Sequence, residues 1–205
     1  MKQFKGYEDA KKNAKFSASE KLPAGSYIAK ILNVKYEDGK DGNSDMIRVQ
    51  FDISEGEYAG FFKKQYDENT AEDKKFKGQT VIYVPKDDGS EKDGWTANTF
   101  AKWTTAFEDS NSGYTWDWKE DKWKGLFIGL VYREVGNVIE GKACKYTEVA
   151  FPISAEKVRN GSAPKAKFKA KNGWTEDMQN AASDTSNSDE FMKVPDTVDE
   201  EEIPF

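Results

Sequence analysis

Residues Met46 to Glu68 read MIRVQFDISEGEYAGFFKKQYDE. How many strands this stretch holds decides the fold. Ile47, Val49, Phe51 and Ile53 alternate with Arg48, Gln50 and Asp52, so one face of a strand is core and the other is wet. EGEYAG sets two glycines among polar residues and reads as a turn. FFKKQYDE, Phe61 to Glu68, keeps a period of two. Phe62, Lys64 and Tyr66 fall on one side, and Phe61, Lys63 and Gln65 on the other. It reads as a further strand, with one phenylalanine ring in the core and its neighbour exposed.

Working outward, GSYIAKILNVKYED (Gly25 to Asp38) gives the strand before, closed by the turn KDGNSD. TVIYVP (Thr80 to Pro85) follows a polar loop and reads as a short extra strand. The period then changes. In TANTFAKWTTAFED, Phe100, Trp103 and Phe107 fall at i, i+3 and i+7, the core face of a short helix capped by Thr96 or Asn98. Two more strands, Lys124 to Asn137 and Lys145 to Ser154, join at GNVIEG. Three strands, a helical insertion and two strands predict an all-β domain with one short helix. The order is that of an OB-fold, a five-stranded Greek-key barrel, here with elaborated loops; an open β-sandwich gives similar strings.

The whole chain has 205 residues, a net charge of −6, 37% hydrophobic residues and 14% aromatics. These values fit an aromatic-rich body with polar tails. No apolar run is long enough to cross a bilayer, and MKQFKGYEDAKKNAKF at the start lacks the apolar core of a signal peptide. With Cys144 the sole cysteine and no histidine, the sequence excludes an internal disulfide, His-based acid–base chemistry and His/Cys zinc sites. No phosphate-binding glycine loop occurs either, so the expectation is a protein that is not an enzyme and needs no cofactor or metal. EDGKDGNSD and DDGSEKDG miss the calcium-loop spacing and read as turns. The NGS sequon at Asn160 is irrelevant in a cytosolic protein.

Charge is unevenly spread. Residues 1–171 hold 30 bases and 27 acids, a balance of +3, while residues 172–205 hold one base and ten acids, a balance of −9. The division expected is an N-terminal extension (1–21), a binding domain (22–158), a linker and disordered acidic tail (159–198) and a tip (199–205). The tip is DEEEIPF: Asp199, Glu200, Glu201 and Glu202, then Ile203, Pro204 and Phe205. A terminal aromatic ring beside the α-carboxylate suits a small apolar pocket with a basic rim, and the acids steer approach to it.

DEEEIPF resembles the C-terminal tip of bacterial single-stranded DNA-binding proteins, which implies recruitment of replication, recombination and repair proteins. LPAGSYIAKI, MIRVQFDISEGEYAGFF and WKGLFIGLVYREV also resemble a family of tailed-phage proteins found beside replication and recombination genes. That likeness implies a phage-encoded single-strand binder with an OB-fold, acting in the cytoplasm of an infected bacterium.

The residues support this reading on their own. Single strands are held by basic grooves that track phosphates and by rings beneath unstacked bases. The body interleaves the two at Lys35 and Tyr36, at Phe61, Lys63, Lys64 and Tyr66, at Tyr132 and Arg133, and at Lys145 and Tyr146. Arg48 adds a cation to the strand-two floor. YTWDWKEDKW, carrying Trp116 and Trp118, is a self-packed hairpin, a lid over the barrel or a base-stacking finger. Two other functions stay open: a strand-annealing protein, and an adaptor whose body binds protein while its tip mimics the host tail. The chain itself is a possible homo-oligomer.

Overall fold

A computed structural model describes residues 21–40, 42–175 and 177–178. The tip Asp199 to Phe205, most of the N-terminal extension and the tail beyond residue 178 lie outside the described residues. The elements are β1 (Gly25–Glu37), β2 (Met46–Ile53), α1 (Phe61–Glu68), β3 (Gln79–Tyr83), α2 (Glu91–Ser110), a 3-10 turn (Glu120–Trp123), β4 (Phe127–Ile139), β5 (Lys142–Ile153), α3 (Ala155–Arg159) and β6 (Lys169–Ala170). The fold is mixed α/β rather than all-β. Its sheet follows the path β3-β2-β1-β4-β5, with β6 pairing β4 off that path, and it does not close into a barrel.

β1 organises the sheet because two antiparallel partners share it. Gly25 to Lys30 pair with Tyr132 to Phe127 of β4, and Ala29 to Glu37 pair with Ile53 to Met46 of β2. The register slips between Ile31 and Asn33, a bulge that bends the strand where it changes partner. There the Ile31 N–H donates to the Leu126 carbonyl at 2.9 Å, and the Gly125 N–H donates to the Ile31 carbonyl at 2.9 Å. β3 continues the ladder on β2, from Met46 opposite Tyr83 to Gln50 opposite Gln79.

The strand reading of FFKKQYDE is overturned: Phe61 to Glu68 form the helix α1. Its cause is Asp52, a buried carboxylate on β2. Asp52 accepts the N–H groups of Ile53 (2.9 Å), Phe62 (2.9 Å) and Lys63 (3.1 Å), so it caps a helix start that lacks a capping side chain of its own. Burial raises its pKa against the pull of those three donors. Phe61 and Phe62 are therefore both buried, meeting edge-on at 5.2 Å, because adjacent residues at a helix start can share one face. The alternation expected to split them does not apply.

With α1 inserted, TVIYVP is no elaboration but β3 itself. Gly78 lets it approach β2: a Cβ there would lie 2.2 Å from the Phe51 carbonyl oxygen and 2.8 Å from the Phe62 ring. The helix α2 starts well before Thr96 or Asn98, at the cap Ser90, whose hydroxyl accepts the Asp93 N–H at 3.1 Å. Phe100, Trp103 and Phe107 are buried, as the helical spacing predicts. Asn111 ties the end of α2 to β4, donating to the Phe107 and Phe127 carbonyls at 2.8 Å and accepting the Phe127 N–H at 3.0 Å.

The described residues divide into two units, 21–135 with 145–169, and 136–144 with 170–178. The first holds the core just described. In the second, Glu140 and Gly141 turn the chain with φ of 50° and 73°, the doubly left-handed hairpin turn. Lys171 N–H donates to the Gly136 carbonyl at 2.9 Å, and Trp174 is buried. The segment Arg159 to Gly173, expected to be a linker, thus contains β6 and regular backbone bonding.

Replacing Asp52 with alanine strands three buried or half-buried N–H groups. Asp52→Ala should therefore lower unfolding free energy by about 2–4 kcal/mol, read by chemical denaturation. A loss below about 1 kcal/mol would mean that α1 is held by its phenylalanines alone.

Candidate nucleic-acid interface

Alternation on the three-strand ladder sends one set of side chains inward and the other to an outer face. Ile47, Val49 and Phe51 are buried. Their neighbours Met46, Arg48 and Gln50 share the outer face with Glu37, Lys35 and Asn33 of β1 and with Tyr83, Val81 and Gln79 of β3. The third strand of this floor is supplied by Gln79 to Tyr83, not by Phe61 to Tyr66.

Glu37 sits between the floor's two cations. Arg48 donates Nε to Glu37 Oε1 at 3.2 Å and a terminal nitrogen to Oε2 at 3.1 Å, and the Lys35 ammonium lies 3.3 Å from Oε1. The Arg48 guanidinium, then the Lys35 ammonium, hold the Glu37 carboxyl below the usual carboxylate range. The Lys35 and Arg48 charges are thus present on the floor but shared with a carboxylate.

The loop after β1 borders the floor and is built stiffly. Asp45 accepts the Tyr36 hydroxyl on one oxygen and the Gly39 N–H, at 2.7 Å, on the other, and its carbonyl accepts the Val84 N–H at 2.8 Å. The hydrogen bond to Asp45 pushes the Tyr36 phenol up to about 12. A Cβ on Gly39 would lie 2.1 Å from the Asn43 carbonyl oxygen, so only glycine fits there. Between this loop, the strand ends and the first turns of α2 runs a groove of ≈ 1050 Å³. Lys35, Lys40 and Lys92 line it with Tyr36 and Tyr83, against Glu37 and Asp38.

The other expected contacts lie elsewhere. Phe61 and Tyr132 are core residues, and the ring of Tyr132 packs edge-on against Tyr27 at 5.7 Å. Burial raises the Tyr132 phenol strongly, and neither ring has a face to offer a base. On α1, Lys63 pairs with Asp67 at 2.8 Å and Lys64 with Glu68 at 3.8 Å. Tyr66, also on α1, meets Phe76 edge-on at 6.0 Å and carries the Lys74 ammonium 4.6 Å above its ring. Arg133 pairs with Glu148 at 2.7 Å. Lys145 and Tyr146 are half-buried on β5, and Tyr146 lines a cleft of ≈ 430 Å³ with Tyr132, Phe61 and Phe62. The outer face therefore unites Lys35 and Arg48, Tyr36 joins them only along the groove because it pairs with inward Ile47, and the α1, β4 and β5 residues lie apart from them.

YTWDWKEDKW forms a lid, without the strand pairing of a hairpin. Trp123 is buried and stacks on Phe107 at 4.6 Å, and half-buried Trp116 lies 5.0 Å from Trp123. Trp118 differs. Its ring stacks on Phe100 at 6.4 Å and 14°, yet it remains exposed, and its backbone is left-handed with φ of 62°. Trp118 (78% exposed), Trp95 (68%) and Tyr83 (56%) are the most exposed aromatic rings among the described residues. Tyr83 and Trp95 are not among the contacts expected from the sequence. The outward phase of Val81 and Tyr83 around inward Ile82 carried the first signal, and the Ser90-x-x-Asp93 cap carried the second. Among the described residues, no cluster of Cys, Asp and Glu is placed to hold a metal ion, and no helix is long and apolar enough to cross a membrane. No protein-family model matches this sequence, and no curated protein matches it.

Proposed function

We propose that this chain binds single-stranded DNA without strong sequence preference and recruits replication or recombination proteins through its C-terminal tip. The body on this reading is an OB-like barrel left open between β3 and β5. Its strand path, the helix between β3 and β4, and a bulged first strand shared by two partners support that reading, and the pair that would close a barrel is missing among the described residues. The observation that carries the reading is the floor of β1, β2 and β3. Lys35, Arg48 and the ring of Tyr83 lie on the face OB-folds use for oligonucleotides, beside a stiff loop in the matching position.

An adaptor that binds protein instead gains support from one feature: Lys35, Arg48, Lys63, Lys64 and Arg133 are all paired with carboxylates. Binding to DNA then has to draw on rings more than on charge. The DNA reading predicts that oligo-dT quenches tryptophan emission, that binding weakens as salt rises, and that duplex of equal length binds far more weakly. Equal affinity for duplex and single strand rejects it.

Glu37 supplies a sharper check. Glu37→Gln removes the charge that Lys35 and Arg48 share, so affinity for oligo-dT should rise severalfold at low salt, with the gain shrinking as the Debye length falls to about 8 Å. Arg48→Ala should weaken binding and flatten the salt slope by roughly one unit. Trp118→Ala should lose about 1–3 kcal/mol of binding with little change in melting temperature. A fourth comparison isolates the tip: deleting Ile203 to Phe205 should abolish capture of replication and recombination proteins and leave oligo-dT affinity unchanged. Capture that survives the deletion makes the tip a solubilising end.

A further inference from the structure

Beyond the floor, a smaller slot opens beside the edge strand β3. It measures ≈ 230 Å³ and lies between Val81 and Tyr83 of β3 and Lys92, Trp95, Thr96 and Thr99 of α2. We propose that this slot takes a single unstacked nucleobase, held between the rings of Tyr83 and Trp95; the proposal rests on the DNA-binding reading above.

Neither ring has a structural reason to be there. Trp95 lies off the buried face of α2, which Phe100, Trp103 and Phe107 define, and Tyr83 ends an edge strand. Both are mostly exposed. A large ring left in water gains nothing from burial, whereas an unstacked base offers a π-face of matching shape. The slot also joins the larger groove, since Tyr83, Lys92 and Thr96 line both. A strand laid along that groove past Lys35 and Lys40 has a base in reach of the slot while its phosphates face the lysines.

The chemistry at the rim selects the ring over the phosphate. The first turn of α2 carries Glu91 and Asp93, and Asp93 accepts the Lys86 N–H at 2.7 Å, so anionic charge already occupies this helix start. A phosphate is repelled there. Thr96 and Thr99 both donate their hydroxyl protons to helix carbonyls, of Lys92 and Trp95, at 3.0 Å. Toward the slot their oxygens can then act as acceptors. Every nucleobase carries an N–H donor on its pairing edge, so such acceptors hold a base without choosing strongly among the four. A patch for a second protein would need a wider apolar surface than two rings with threonines and a lysine.

The test measures anisotropy of labelled oligo-dT, and of an abasic strand of equal length, with wild type, Trp95→Ala, Trp95→Phe, Tyr83→Ala and Arg48→Ala. Trp95→Ala and Tyr83→Ala should each weaken oligo-dT binding by about tenfold and leave abasic-strand binding unchanged. Trp95→Phe should keep most of the affinity. Arg48→Ala should weaken both strands alike, which separates the floor from the slot. Unchanged melting temperatures check that the variants fold. If wild type and Arg48→Ala behave as stated while Trp95→Ala and Tyr83→Ala bind oligo-dT like wild type, the slot is overturned and the floor stands. If wild type binds neither strand, both fall. If Trp95→Ala instead turns a dimer into a monomer in sedimentation at constant oligo-dT affinity, the rings join two copies of this chain and the base slot is wrong.

Discussion

A buried carboxylate must find donors, and Asp52 finds one in its own strand and two in the first turn of α1. Three backbone N–H groups converge on it. Left unmet, a buried anion would cost several kcal/mol, so the chain after β2 is obliged to deliver N–H groups to that point. Beyond the Ile53 N–H, a helix start supplies the other two from adjacent residues, and a strand at Phe61 to Glu68 does not. The choice has consequences downstream. Phe61 and Phe62 both enter the core, the third strand moves to Gln79–Tyr83, and Gly78 becomes the residue that lets it reach β2. The exposed floor then displays Val81 and Tyr83 in place of a lysine-rich strand.

That displacement changes which force dominates at the proposed interface. The cations of FFKKQYDE sit on α1 and pair with acids one turn on. On the floor, Lys35 and Arg48 share Glu37. Exposed pairs of this kind are worth about 0–1 kcal/mol, so a phosphate can displace the carboxylate at small cost, though with small gain. Stacking of one base on an exposed ring is worth about 1–3 kcal/mol. With a balance of only +3 over residues 1–171, rings must supply the larger share of any affinity and charge the smaller.

What could be read from the sequence follows from what each local pattern encodes. The alternation in Met46 to Ile53 reports burial on one side of a strand, and the Phe100, Trp103, Phe107 spacing reports a helix face; both concern a residue and its near neighbours. FFKKQYDE misled because a period of two over eight residues also fits a helix with its apolar pair at the start. The i,i+4 pairs Lys63–Asp67 and Lys64–Glu68 favoured the helix, but the deciding partner, Asp52, is ten residues from Phe62. The long start of α2 was hidden by Gly94, Thr96 and Asn98, weak helix formers that Ser90 and tertiary packing override. Of the residues expected to contact DNA, alternation placed Lys35 and Arg48 on one face of the floor. It did not single out Tyr83 and Trp95, whose exposure depends on which elements flank them in space.

The helix α2 then links core and surface. Phe100 is buried and serves as the platform for Trp118, whose ring also lies 5.9 Å from that of Trp116. A ring fixed on its inner face has little rotamer freedom left to lose. Ordering a free side chain on binding costs about 0.5–1.5 kcal/mol, a sizeable part of what one stacked base returns. On the proposed DNA-binding reading the lid then does more than cover Trp123: by holding Trp118 against Phe100 before any ligand arrives, it leaves the outer face of that ring ready to stack. A flat π-face presented in this way suits every base alike, and on this reading tolerance of sequence follows from rigidity rather than from looseness.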